Sequence, residues 1–237
     1  MSRFYLAVLL AGSLFFSGVV SQAAPGQPSA SNQQSAQPNT QGAAAQAEPV
    51  QDRMPEIPSA KLTPEQKKAA DEFAAGRGTP VFGPFVPLLR SPEVMLRAKA
   101  MGDYLRFKSS LPPKLNEFVI LITARQWSQG YEWGVHYPIA IKAGLDADIA
   151  KAVAEGRRPE KMPADEELVY DFCSELHRNQ SVSDATYGKA VARFGEQGVI
   201  DMIGVNGYYT FLAMVLNTAR TPSPKAAGVP SLPQFPK

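Results

Sequence analysis

The sequence predicts an all-α domain of seven or eight helices. Helix start and stop signals recur along the chain, apolar residues fall at helical rather than alternating spacing, and strand signals are few.

The elements follow in order. Thr63-Pro64-Glu65-Gln66 combines an N-cap, a proline at the first helical position and a capping-box glutamine, predicting a helix to about Ala75 that Gly76 and Gly78 end. Residues 79–89 (TPVFGPFVPLL) read as an irregular segment that lays apolar side chains over the domain. Ser91-Pro92-Glu93 opens a second helix through about Lys108, with Val94, Leu96, Met101, Leu105 and Phe107 available for burial. Pro112-Pro113 starts a third, apolar at Leu115, Phe118, Val119, Ile120 and Ile122, with Glu117 set inside the apolar run. A fourth is expected from near Tyr131 to Ala143, stopped by Gly144. Asp146 caps the next, Ala147 to Glu155, and 156–163 is a polar loop. Asp165 to about Asn179 is amphipathic, and Ser183 caps Asp184 to Phe194. Gln197 to Thr218 is long and strongly apolar, a central or interface helix.

The ends read differently. Arg3 followed by an apolar run to Val20 and the small-x-small pattern Ser21-Gln22-Ala23 predicts a secretory signal over 1–23. The run is near the minimum for a membrane span, so an anchor is the competing reading; cleavage after Ala23 would leave no stable membrane insertion. Residues 24–61 are rich in Ala, Gln, Pro, Ser and Asn and short of large apolar side chains, which reads as a disordered linker. The folded domain is expected over 62–220, followed by a loose Pro-rich tail over 221–237. A periplasmic or secreted location follows from the signal.

Charge excludes one class of partner. The chain has 24 basic and 22 acidic residues without a basic stripe, so nothing points to nucleic acid. Cys173 is the single cysteine, which rules out an intramolecular disulfide and a CxxC pair. It lies in the stripe Leu168, Val169, Phe172, Cys173, Leu176, so a buried, inert thiol is expected.

The segment from Ala124 to Leu145, ARQWSQGYEWGVHYPIAIKAGL, concentrates the chemistry. On a helix Glu132 and His136 are one turn apart on one face. A carboxylate beside an imidazole raises its pKa and suits it to proton transfer near neutral pH. Arg125, Trp127, Tyr131 and Trp133 stand close by in the chain. The second histidine, His177, lies near a helix C-terminus, where a charged ring suits the helix dipole, and is given no role.

This block, with the preceding GPFVPLLRSPEVMLRAKAMGDYLRFKSSLPPKLNEFVILITARQW, resembles the carboxymuconolactone decarboxylase family, in the superfamily that also contains alkylhydroperoxidase D. The resemblance implies that superfamily's compact all-α fold and assembly as a trimer or hexamer. Its thiol members carry Glu, eleven residues, Cys-x-x-Cys, three residues, His. Here Glu117 and His136 keep the outer positions, while Gln129 and Glu132 stand at the two cysteines. Thiol peroxidase chemistry needs an attacking thiolate and a resolving thiol, so the resemblance is to the decarboxylase-like branch.

That branch implies a lyase acting on a small carboxylated lactone or related cyclic acid. Arg125 would bind the carboxylate, His136 would protonate the carbanion left by carbon dioxide, and Glu132 and a buried Glu117 would tune and relay the proton. No cofactor is needed if the substrate is the electron sink, and one histidine with scattered carboxylates makes no metal site.

Each residue also has a plainer reading. Arg125 pairs with Glu132 or Glu117 to brace a helix crossing; Trp127, Tyr131 and Trp133 are core or pocket wall; Glu117 is a satisfied buried carboxylate; His136 is a structural hydrogen-bonding histidine. A non-catalytic, small-acid-binding protein on the same fold is the alternative function.

Overall fold

Helix α4 (Pro113–Gln126) is the hub of the fold, with every residue from Leu115 to Arg125 buried. A helix buried on all sides has no polar face to give to solvent, and its neighbours α5 (Gly130–Lys142), α6 (Ala147–Ala154), α7 (Ala164–Asn179) and α8 (Asp184–Ala219) close around it. The remaining helices are α1 (Pro64–Arg77), the single turn α2 (Phe85–Leu88) and α3 (Pro92–Phe107), with α3 bridging α1, α2 and α8. This computed structural model describes residues 51–224 and 228–233; the expected signal peptide and most of the expected linker lie outside them. Among the described residues all regular structure is helical.

Local chemistry sets most of the helix ends. Thr63 and Gln66 form a reciprocal capping box at the start of α1, and Gly78 ends it in the left-handed conformation. Asp146 accepts from the Asp148 amide at the start of α6, and Ser183 from the Thr186 amide at the start of α8. Within α8 the backbone breaks at Gly195 (φ 70°, ψ 170°), so the expected Ser183-capped helix and long apolar helix are two arms of one kinked element. The second arm is both central and superficial: Met202, Val205, Tyr209, Ala213 and Leu216 are buried, while Ile200, Ile203 and Met214 face out.

Four expectations need correction. On α3 the buried face is Met95, Ala98, Gly102 and Leu105, whereas Val94, Met101 and Phe107 are exposed. The inward stripe is set by small residues because α8 comes close: a Cβ on Gly102 would lie 2.3 Å from the Tyr208 hydroxyl. Residues 79–89 contain the helical turn α2, whose Phe85 and Leu88 are buried. The ordered chain begins ahead of 62, since the Arg53 amide donates to Ala219 O at 2.7 Å and Arg90 Nη2 to Pro55 O at 2.7 Å.

The tail is not loose over its described residues. Trp133 Nε1 donates to Pro230 O at 2.9 Å, Arg125 Nη1 donates to Pro233 O, and Leu232 is buried. Ser223 and Pro224 lie against Gly130 and Gly134, where the missing side chains let the tail approach α5. Another buried polar group is structural: Asp201 on α8 accepts from Tyr104 Oη and from the amide and hydroxyl of Ser110, fastening the α3–α4 connection.

Candidate active site

Three residues link α4 to α5, and the Gln129 side chain sets the start of α5. Its Oε1 accepts from the Tyr131 amide at 2.6 Å, and its Nε2 donates to Asn217 Oδ1 on α8 at 2.8 Å. The first of the two positions where thiol proteins carry cysteine is thus occupied by a helix cap that ties α5 to α8. The turn lays α5 along α4 and brings Glu117, near the start of α4, to His136, two turns into α5.

His136 is held at both ring nitrogens. Nδ1 lies 2.6 Å from Glu117 Oε2, and Nε2 lies 3.5 Å from Glu132 Oε2. All three side chains are buried, and Tyr209 packs edge-on to the ring with centroids 5.0 Å apart. Burial opposes the charged imidazolium, but the hydrogen bonds it donates to Glu117 and then to Glu132 outweigh it, so the His136 pKa rises above its usual value. An imidazolium donates from both nitrogens and so can serve one oxygen of each carboxylate.

A narrow cavity of about 40 Å³ opens on the Nε2 side, lined by His136, Glu132, Tyr131, Tyr208, Arg77 and Arg106 among others. Glu117 is not in its wall, so His136 and Glu132 face any bound molecule while Glu117 stands behind the ring. Burial pushes the hydroxyls of Tyr131, Tyr208 and Tyr209 upward, which keeps these phenols protonated as donors at neutral pH. Gly83, at φ 55°, allows close approach of Tyr131: a Cβ there would sit 2.6 Å from its hydroxyl.

The other expected site residues lie elsewhere. Arg125 is buried and donates to the tail at Pro233; the cavity it lines, of about 190 Å³, is shared with Arg157, Arg178 and His177, and excludes His136. Arg125 stands eight residues on from Glu117, about 12 Å along α4, and lines that other cavity instead. Trp127 donates from Nε1 to Thr210 Oγ1 at 3.1 Å, and Trp133 is buried under the tail against Tyr137. Both are packing residues, and of the three aromatics only Tyr131 reaches the cavity.

His177 departs from the charged helix-end role expected of it. Burial lowers its pKa, and its Nε2 lies 3.5 Å from Thr123 Oγ1. Cys173 is fully buried, accepts from Asn206 Nδ2 at 3.3 Å, and has its thiol pushed up to about 12. Sequence reasoning missed Arg77, Arg106, Tyr208 and Tyr209. Each is far from the Ala124–Leu145 segment in the chain, and only the packing of α1, α3 and α8 brings them to it.

No family model matches the chain, and no curated protein matches it in sequence. Solved structures do match. An uncharacterised peroxidase-related protein from Silicibacter sp. TM1040 superposes with a TM-score of 0.57 at 15% identity, over 74% of this chain and 93% of its own. The alkylhydroperoxidase AhpD core of an uncharacterised peroxidase-related protein from Ralstonia eutropha JMP134 gives 0.55 at 17%, over 70% and 88%. A variant of the debrominase Bmp8 in complex with 2,3,4-tribromopyrrole gives 0.56 at 11%, over 75% and 94%. The agreement is one of backbone across most of the domain: the chain has the alkylhydroperoxidase D-like fold.

Proposed function

We propose that the protein is a cofactor-free carboxy-lyase of the carboxymuconolactone decarboxylase type, acting on a small carboxylated lactone or related cyclic acid. The observation that carries this reading is His136, buried and clasped between Glu117 and Glu132 at the wall of a cavity. The carbon–carbon bond to the carboxylate breaks, carbon dioxide leaves, and the electron pair passes into the conjugated lactone. His136 gives its Nε2 proton to the carbon, and the Glu117 contact holds the ring in place as it loses charge and later regains a proton from solvent. Glu117 is on this account a positioning residue, and His136 and Glu132 are the groups that meet substrate.

Thiol chemistry has little support here. Cys173 lies on α7, is fully buried, and has a pKa pushed away from the thiolate form. Export through the 1–23 signal and assembly as a homo-oligomer belong to the same proposal. Exposed Phe107, Ile200, Ile203 and Met214 supply apolar surface for self-association.

A second reading rests on the cavity's size. Ligand pockets usually run to about 300–1,000 Å³, and this one, at about 40 Å³, admits a small acid group better than a whole ring. A protein that binds small acids without converting them would need no more. Carbon dioxide release from 4-carboxymuconolactone, measured for the protein and for His136→Asn, separates the two. Turnover lost in the variant supports the lyase; no turnover by either protein leaves the binding protein.

A further inference from the structure

Two arginines, Arg77 and Arg106, also line the cavity beside His136. Arg77 is the last residue of α1 and Arg106 stands at the end of α3, so two helices that share no part of the Glu117–His136 pair converge on it. The Arg77 side chain is only 10% exposed. Its guanidinium lies over the rings of Phe73 and Phe85 at 5.7 and 5.3 Å, and Nη2 pairs with Asp103 at 2.6 Å. It is therefore fixed in direction. Arg106 has no carboxylate within ion-pair distance among the described residues. The Nε donor of each arginine is buried without a hydrogen-bond partner, and so is Oε1 of Glu132, which lines the same cavity. Each of these two cavity-lining arginines keeps a buried donor that an acceptor would satisfy.

Charge points to the same occupant. Lys99 also pairs with Asp103, at 2.8 Å. Leaving aside the Glu117–His136 pair, the three bases Arg77, Lys99 and Arg106 outnumber the two acids Asp103 and Glu132 by one. A single negative charge balances the set, and the narrow cavity takes a group the size of a carboxylate.

We propose that Arg77 and Arg106 form a seat for one planar carboxylate of the substrate, the role that Arg125 does not reach. The inference rests on the reading of this cavity as the active site and adds the group that orients the ligand. The seated carboxylate is one the substrate keeps, because two guanidiniums stabilise it against giving up its electrons. The carbon that receives the proton then lies on the His136 side of the cavity.

The test is an NMR titration of tyrosine-labelled protein with acetate, and with acetamide as the neutral isostere, following the Tyr208 and Tyr209 ring signals. Acetate is expected to give saturable shifts and acetamide none. Arg106→Gln should weaken acetate by at least about tenfold, the loss of one charge-assisted pair. Arg106→Lys, which keeps the charge and loses the fork, should fall between, and carries the test if Arg106→Gln does not fold. Acetate binding that is absent, that ignores both substitutions or that acetamide equals overturns the seat. His136→Asn separates this inference from the lyase reading. If His136-dependent turnover is found while acetate ignores Arg106, the seat falls and the lyase stands. If acetate needs Arg106 and nothing is turned over, the seat stands and the lyase falls.

Discussion

Glu117 and His136 meet across the α4–α5 turn with Oε2 2.6 Å from Nδ1, and this contact fixes which face of the imidazole the cavity sees. Nδ1 is committed to a carboxylate outside the cavity wall, so Nε2 is left to Glu132 and to whatever binds.

Glu117→Gln keeps an oxygen that can accept from Nδ1 but removes the charge that favours the imidazolium. The His136 pKa should fall towards its usual value while the fold persists. Glu117→Ala breaks a buried pair and should cost about 3–5 kcal/mol of stability. Chemical denaturation gives the stability and an NMR pH titration gives the pKa; a His136 pKa unchanged in Glu117→Gln would remove Glu117 from the positioning role.

The two histidines should titrate on opposite sides of 6.5, His136 above and His177 below. The consequences for stability are opposite in sign. The raised pKa of His136 contributes stability that is complete below 6.5 and lost as pH rises through the folded value. The lowered pKa of His177 means that the unfolded chain binds a proton first, so stability falls as pH drops below 6.5. His136→Asn should abolish the alkaline loss and His177→Gln should reduce the acid loss just below 6.5. Thermal midpoints across that range decide it, and a profile unaltered by either substitution would refute both assignments.

What the sequence made legible was local. Capping at Thr63, Asp146 and Ser183 and the stops at Gly78 and Gly144 depend on neighbours a few residues away, and those helix ends fall where expected. Glu132 and His136 were legible as a pair one turn apart, whereas Glu117 was tied to His136 only by the frame that the resemblance supplies. The placement of Arg125 was not legible, since closeness to His136 in the chain does not carry a side chain two turns beyond Glu117 on α4 back to the same cavity. Nor was the inward face of α3, where hydrophobicity favours Met101 over Gly102 but the approach of Tyr208 demands the glycine. The arginine wall was invisible for the same reason, as Arg77 and Arg106 gain meaning only once α1 and α3 are packed.

Gly102 therefore makes a sharp test of the α3–α8 approach. A methyl group there would meet the Tyr208 hydroxyl at 2.3 Å, and Tyr208 is 4% exposed. Gly102→Ala should destabilise by about 1–3 kcal/mol through overpacking, and Gly102→Ala/Tyr208→Phe should recover part of that loss, since the atom met first is the phenolic oxygen. If the double variant is no more stable than the single one, the clash lies elsewhere.

The tail gives a prediction with an optical readout. Trp133 and Trp127 are the only tryptophans. Trp127 bonds to Thr210 on α8, whereas Trp133 bonds to Pro230 beneath the tail. Removing residues 222–237 takes away the Trp133 hydrogen bond, worth about 1 kcal/mol, and the burial of Leu232, worth about 1.5–3 kcal/mol. It also uncovers the small-residue face of α5 at Gly130 and Gly134. The shortened protein should remain helical, lose stability of the order of those terms, and show a red shift in emission that Trp133→Phe eliminates. Because the Glu117–His136 contact involves no residue of the tail, its pKa signature should survive the truncation. A shift in His136 titration would mean that the tail supports the site as well as the helix.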